Sequence, residues 1–229
     1  MDIETRPWVQ EGSAARWVLA SGNAGKLVEM RRLLADLGVD LVSQSALGVA
    51  PCEEPFGTFL ENALEKARHA SRCTGLPALA DDSGLVVDAL QGAPGVRSAR
   101  FFADAQSSGA AGALAPFGAG LSVDAQNWQW LLHRMEGVAD AARTARFVAV
   151  LCFVRQPDDP TPIWGVGFWK GRIARFAAGG GGFGYDCVFL DPSCQQTAAE
   201  ISPAEKDARG HRGMAMRAFL ASYRQAYGG

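Results

Sequence analysis

Apolar residues follow two rhythms along this chain. Short, mainly apolar runs at Trp17 to Ala20, Val39 to Val42, Ala78 to Ala80, Leu85 to Leu90 and Cys187 to Leu190 predict strands. Longer runs from Thr144 to Val154 and Ile163 to Phe176 predict two more, the second folding back as a hairpin at Lys170 and Gly171. Between them the spacing changes to that of a helix. Leu27, Met30, Leu33, Leu34 and Leu37 recur on one helical face, which Gly38 closes. Leu60, Ala63, Leu64 and Ala67 mark a second helix, begun by a Thr58/Glu61 capping box and ended near Gly75. Trp128, Leu131, Leu132 and Met135 mark a third. Ser202, Pro203 and Glu205 combine a cap, an N1 proline and a capping box, and a last helix is expected from about His211 to Tyr223. Strands and helices alternate early and strands cluster late, which predicts a mixed α/β sheet.

Two segments break the rhythm. Residues 1–15 read as an N-terminal extension ahead of a single domain at 16–229. Between 104 and 121, twelve of the 18 residues are Ala, Gly or Ser, which reads as a flexible surface insertion.

The chain has 229 residues, which suits one domain, or one domain with two lobes. Its 22 basic and 24 acidic residues give a net charge of -2, so the basic surplus that nucleic-acid binding ordinarily needs is missing. The five cysteines are scattered and form no CxxC, which reads as free thiols in a reducing compartment. The N-terminus lacks a signal-peptide pattern, and the run from Phe147 to Val154 is far too short to span a bilayer. A cytoplasmic protein with no membrane partner is the expectation.

Five clusters carry candidate chemistry. Ser21, Gly22, Asn23, Ala24, Gly25 and Lys26 form a small-residue loop between a strand and a helix start. Free N–H groups, the helix dipole and a lysine there suit an anion. The loop is not a Walker A motif, because Ala20 and Leu27 stand where Gly and Ser or Thr are required. Asp81 and Asp82, before Ser83 and Gly84, are expected in a polar segment between two strands; neighbouring side chains on a strand face opposite sides, so one of the pair would face a given cleft. A carboxylate there can hold Mg²⁺ and take a proton from water, although an Asx turn has the same residues. Glu53 and Glu54 precede a capped helix and could complete a metal site or simply favour the helix dipole. Gly179 to Gly184 matches GxGxxG but leads into a strand, so a dinucleotide loop is excluded. What remains is a close-approach loop in which Phe183 or Tyr185 could stack on a base, or a hairpin with core aromatics. Lys206, His211 and Arg212 suit phosphate or base-edge contacts, or a solvated helix face.

Six stretches in order are SGNAGK (21–26), GTFLENALEKARHA (57–70), LADDSGLVVDAL (79–90), GAPGVRSARF (92–101), GGFGYD (181–186) and AEISPAEKDARGHRG (199–213). Together they resemble the inosine triphosphate pyrophosphatase family across nearly the whole chain from residue 17. The resemblance implies an elongated α/β fold, with helices flanking a mixed sheet and two lobes around a central cleft, and a homodimer. It implies Mg²⁺-assisted hydrolysis of ITP, dITP and XTP to the monophosphate and pyrophosphate by direct attack of water. It further implies that Ser21 to Lys26 hold the triphosphate, that Asp82 is the catalytic acid–base and a metal ligand, and that Glu54, or its neighbour Glu53, helps hold the metal. Ser83, Phe183, Gly184, Tyr185, Asp186, Lys206, His211 and Arg212 would contact the purine and its phosphates. The sequence departs from the family pattern in its N-terminal extension, in Cys187 where proline is common, and in the 104–121 insertion. A nucleotide pyrophosphatase for other bases and a non-catalytic nucleotide-binding module are the competing readings.

Overall fold

The computed structural model describes residues 15–109 and 120–227, in the mixed α/β arrangement expected. Its seven strands are β1 (Arg16–Leu19), β2 (Asp40–Ser43), β3 (Ala78–Val87), β4 (Thr144–Val154), β5 (Ile163–Ile173), β6 (Phe189–Asp191) and β7 (Gln196–Thr197). They follow the order β2-β1-β3-β4-β5-β6-β7 in one sheet. β1 runs parallel to β2 and β3, while β6 is antiparallel to β5 and β7. Six helices accompany them: α1 (Ala24–Leu33), α2 (Phe59–Thr74), α3 (Phe101–Ser107), α4 (Val123–Arg134), α5 (Pro203–Arg209) and α6 (His211–Tyr227). Among the described residues no helix is long and apolar enough to cross a membrane.

The chain divides into two compact units. The first contains the chain through Asp82, Ala149–Gly167 and the stretch from Ala215 onward; the second contains Ser83–Val148 and Phe168–Met214. In the first unit, Trp17 and Leu19 of β1 pack with Met30 and Leu34 of α1, with Leu151 and Phe153 of β4, and with Phe219 of α6. A smaller alanine-rich layer, Ala67, Ala70, Ala78 and Ala80, seats α2 against β3. In the second unit, Phe102, Trp130, Phe147, Trp169 and Phe189 build the core. Helix α1 and the helical turn after it end at Gly38 as the spacing predicts, and α2 ends at Gly75; both glycines take left-handed backbone angles.

Three local expectations are corrected. Asp81 to Gly84 does not separate two strands but lies inside β3, because each aspartate meets a lysine brought from a distant helix. β5 does not turn at Gly171 but continues to Ile173. That glycine answers a different need: a Cβ there would lie 2.6 Å from Leu190 O of β6 and 2.5 Å from the Phe189 ring. Close approach of a neighbouring strand, not a turn, selects glycine at this position. In the Ala/Gly-rich segment, Asp104 to Ser107 complete α3, where Ala105 is buried with Phe101 and Phe102 and Ser107 Oγ donates to Ala103 O. Residues 110–119 of that segment, and 1–14 of the N-terminal extension, lie outside the described residues.

Candidate active site

The first cluster begins where β1 ends. Asn23 caps α1, its Oδ1 accepting from Lys26 N at 3.1 Å, while Ser21 Oγ accepts from Asn23 N at 3.1 Å. The loop is therefore held in shape by its own side chains, with Ala24 and Gly25 opening the helix. Lys26 Nζ lies 2.7 Å from Asp81 Oδ2, and the Asp81 side chain is fully buried.

Asp82, one residue on, meets a lysine that the motif reading did not single out. Lys66 Nζ donates to Asp82 Oδ1 at 2.7 Å and to Glu54 Oε1 at 3.0 Å. Lys66 stands on α2 beside buried Asn62, Ala63, Ala67 and Ala70. A lysine set in an otherwise small and buried helix face is the signal that would have found it, since such a charge needs a partner. Asn62 fixes the approach of the glutamate: its carboxamide accepts from Phe56 N and donates to Phe56 O, tying the loop to α2. Of the two glutamates, Glu54 reaches Lys66 and Glu53 is exposed.

Burial pushes the Asp82 carboxyl above its ordinary pKa, and the ammonium of Lys66 pulls it part of the way back. Burial works against the charge on Lys66, but Asp82 and Glu54 outweigh it and hold the lysine above its ordinary value. Ser21, Gly22, Lys26, Glu54, Lys66 and Asp81 share one cavity of about 160 Å³. Asp81 lines it and Asp82 does not, as opposite-facing neighbours on a strand require; Asp82 is joined to the cluster through Lys66.

The second cluster belongs to the second unit. Asp186, 5% exposed, accepts from Phe183 N at 2.9 Å and from Lys206 Nζ at 2.7 Å. Gly184 N donates to Asp124 Oδ2, in the first turn of α4, at 2.8 Å. Asp124 is a second residue that the motifs missed. Arg212 reaches Ser83 Oγ at 2.9 Å and lies 5.0 Å over the Phe183 ring, which is half exposed. His211 is buried flat against Phe147, with ring centroids 4.7 Å apart. Tyr185 is not available for stacking: its ring is buried in the core and its hydroxyl donates to Ser98 O at 2.8 Å. Of the two aromatic candidates, Phe183 alone presents an accessible ring.

The glycine-bounded anion loop, the paired aspartates and the Phe183–Arg212 stack all lie within residues 17–222, and that stretch matches the model of the Ham1 family. The chain belongs to the Ham1 family. A Salmonella paratyphi A protein named dITP/XTP pyrophosphatase is 49% identical over 207 residues, covering 90% of this chain and 97% of its own. The Escherichia coli K12 protein of the same name is 47% identical over 207 residues. Among solved structures, a HAM1 protein from Coxiella burnetii matches with a TM-score of 0.77 at 43% identity, covering 92% of this chain and 98% of its own. The Staphylococcus aureus Ham1 protein matches at 0.73 and 31%. The Ham1 match covers strands and helices of both units, including every residue of the two clusters.

Proposed function

We propose that this Ham1 protein hydrolyses non-standard purine nucleoside triphosphates, ITP, dITP and XTP, to the monophosphate and pyrophosphate. The observation that carries the reading is the Glu54–Lys66–Asp82 bridge, buried at its Asp82 end, beside the Ser21–Lys26 loop. The relatives named dITP/XTP pyrophosphatase support it across nine-tenths of the chain.

Water attacks the α-phosphorus, a P–O bond forms, and the bond to the bridging oxygen breaks with its electron pair leaving on pyrophosphate. Asp82 takes the proton from the attacking water; a carboxyl raised by burial is a stronger base than an ordinary aspartate. Lys66 holds Asp82 Oδ1 and so orients the carboxylate. Lys26 and the N–H groups at the start of α1 offset the charge that grows on the departing pyrophosphate.

The charges also speak for a cation. Lys26 and Lys66 face Asp81, Asp82 and Glu54, two positive groups against three negative. A triphosphate carrying about four negative charges would be repelled unless a metal accompanied it. Asp82 Oδ2 is buried and has no hydrogen-bond partner among the described residues, which suits a cation. No group of three or more His, Cys, Asp or Glu that could hold a metal occurs among the described residues. Mg²⁺ fits this set, since it habitually binds one or two carboxylates together with substrate phosphates and water. Asp82 and Glu54 would hold it, and when bound it would withdraw charge from the phosphate oxygens.

The purine is assigned to Phe183, Arg212 and His211, with Ser83, Gly184 and Lys206 beside them. A 6-keto purine offers an acceptor to such donors, whereas adenine offers a 6-amino donor and leaves them unpaired, at about 1–3 kcal/mol each. Tyr185 and Asp186 act from behind, fixing the backbone of that loop. We place the enzyme in the cytoplasm as a homodimer; its five cysteines form no disulfide.

The test is pyrophosphate release with Mg²⁺ from ITP, XTP, GTP, ATP and dTTP, for the wild type and Asp82→Asn. Fast turnover confined to ITP and XTP and abolished in the variant is expected. Equal rates on all five substrates would refute the selectivity, and full activity in Asp82→Asn would remove that residue from the mechanism.

A further inference from the structure

We infer that Gln44 is a further substrate-binding residue, its carboxamide N–H donating to an oxygen of the pyrophosphate half of the substrate. The inference rests on the pyrophosphatase reading above. Gln44 follows β2, and its backbone is fixed without help from its side chain. Its N–H donates to Leu19 O at 2.9 Å, and its carbonyl accepts from Leu47 N at 3.1 Å and Val49 N at 2.9 Å. The residue is 5% exposed, yet it lines the same 160 Å³ cavity as Ser21, Lys26, Glu54 and Lys66. Its carboxamide makes no hydrogen bond among the described residues and is not among the polar atoms sealed from solvent. A side chain so deeply set would serve packing better as leucine or methionine. A carboxamide there presents a donor and an acceptor to the cavity that no protein group among the described residues occupies, which leaves them open to a ligand.

The charge balance of the cavity explains why a neutral donor is useful. Both lysines are already engaged by carboxylates, at 2.7 Å for Asp81 and at 2.7 and 3.0 Å for Asp82 and Glu54. Another lysine would draw on the same carboxylates. An amide N–H donates to a phosphate oxygen without competing for a counter-charge and without adding negative charge. Gln44 shares its cavity with Ser21, Gly22 and Lys26 of the loop assigned to the phosphates. The phosphate chain is therefore its target.

The experiment compares the wild type with Gln44→Leu and with Gln44→Glu, which has the same size but exchanges the donor for a carboxylate. Calorimetry measures binding of inorganic pyrophosphate with Mg²⁺, and steady-state kinetics measures ITP hydrolysis. Gln44→Leu is expected to weaken pyrophosphate binding and raise KM for ITP about tenfold each, with kcat changed less than about threefold. Gln44→Glu is expected to lose more of both. Unchanged pyrophosphate affinity in the variants, or a fall in kcat with KM unaltered, would overturn the assignment. If circular dichroism shows that Gln44→Leu does not fold, the isosteric glutamate variant decides alone. A wild type that binds pyrophosphate but leaves ITP intact would refute the catalytic reading, while the comparison of pyrophosphate affinities still decides the role of Gln44.

Discussion

Replacing Lys66 by methionine tests the bridge on which the catalytic reading stands. The side chain keeps its length and loses its charge, leaving Asp82 and Glu54 facing each other. Lys66 and Asp82 are 12% and 9% exposed as side chains, so water screens their contact little; Glu54, at 28%, is better solvated. At 2.7 and 3.0 Å, and an effective dielectric constant near 20, each attraction is worth about 6 kcal/mol before desolvation. Desolvation of the ammonium offsets most of that, and breaking a buried pair from one side typically costs about 3–5 kcal/mol. Asp82 has an escape, because its pKa already lies above the ordinary value and would rise further, letting it take up a proton. The lower end, about 3 kcal/mol, is therefore expected. Urea unfolding at neutral pH in a metal chelator measures it. The double variant Lys66→Met/Asp82→Asn should recover at least half of the loss, since the stranded charge is then gone. A single-variant cost below about 1 kcal/mol, or a double variant whose cost is the sum of the singles, would show that the two residues are not a coupled pair.

Two further predictions concern the support of the site. A Cβ on Gly213 would collide with the Asp207 carbonyl oxygen, so Gly213→Ala should push α6 from α5 near His211 and Arg212. A cost of about 1–3 kcal/mol is expected, a fall in Tm of roughly 5 °C, with weaker preference for ITP over ATP; an unchanged melting curve would refute the contact. Asp159 accepts from the guanidinium of Arg155 at 2.7 and 2.8 Å and from the Arg155 and Thr161 amides at 3.0 Å, and these bonds, led by the guanidinium, hold its pKa well below the ordinary value. A depressed carboxyl stabilises the fold above its unfolded pKa and loses that contribution as pH falls from about 4 toward the folded value, so Asp159→Asn should cost about 2–3 kcal/mol at pH 7 and progressively less in acid. Stability curves for the two proteins that stay parallel from pH 7 to pH 2 would refute this.

Some local signals match the structure closely. β4 runs from Thr144 to Val154 as its apolar run predicts, and α5 opens with the full Ser202/Glu205 capping box. The other box is only half made: Thr58 Oγ1 accepts from Glu61 N, while Glu61 Oε2 takes its bond from the Thr58 hydroxyl. These signals lie within a few residues of the bonds they report. The competition among alternatives that needs distant neighbours was not legible. Phe183 and Tyr185 are equally aromatic in the sequence, and only burial against Ser98 removes one of them from the surface.

By itself, then, the sequence determined the alternation of strands and helices, the small-residue anion loop ending in Lys26, the acidic pair as candidate chemistry and the family to which the chain belongs. Tertiary structure alone decided that β3 runs unbroken through Asp81 and Asp82, that Glu54 and not Glu53 joins the cluster, and that Lys66 and Gln44 line its cavity. The reason is one of reach. A buried carboxylate is tolerable only beside a counter-charge, and the lysines that answer Asp81 and Asp82 stand 55 and 16 residues away along the chain.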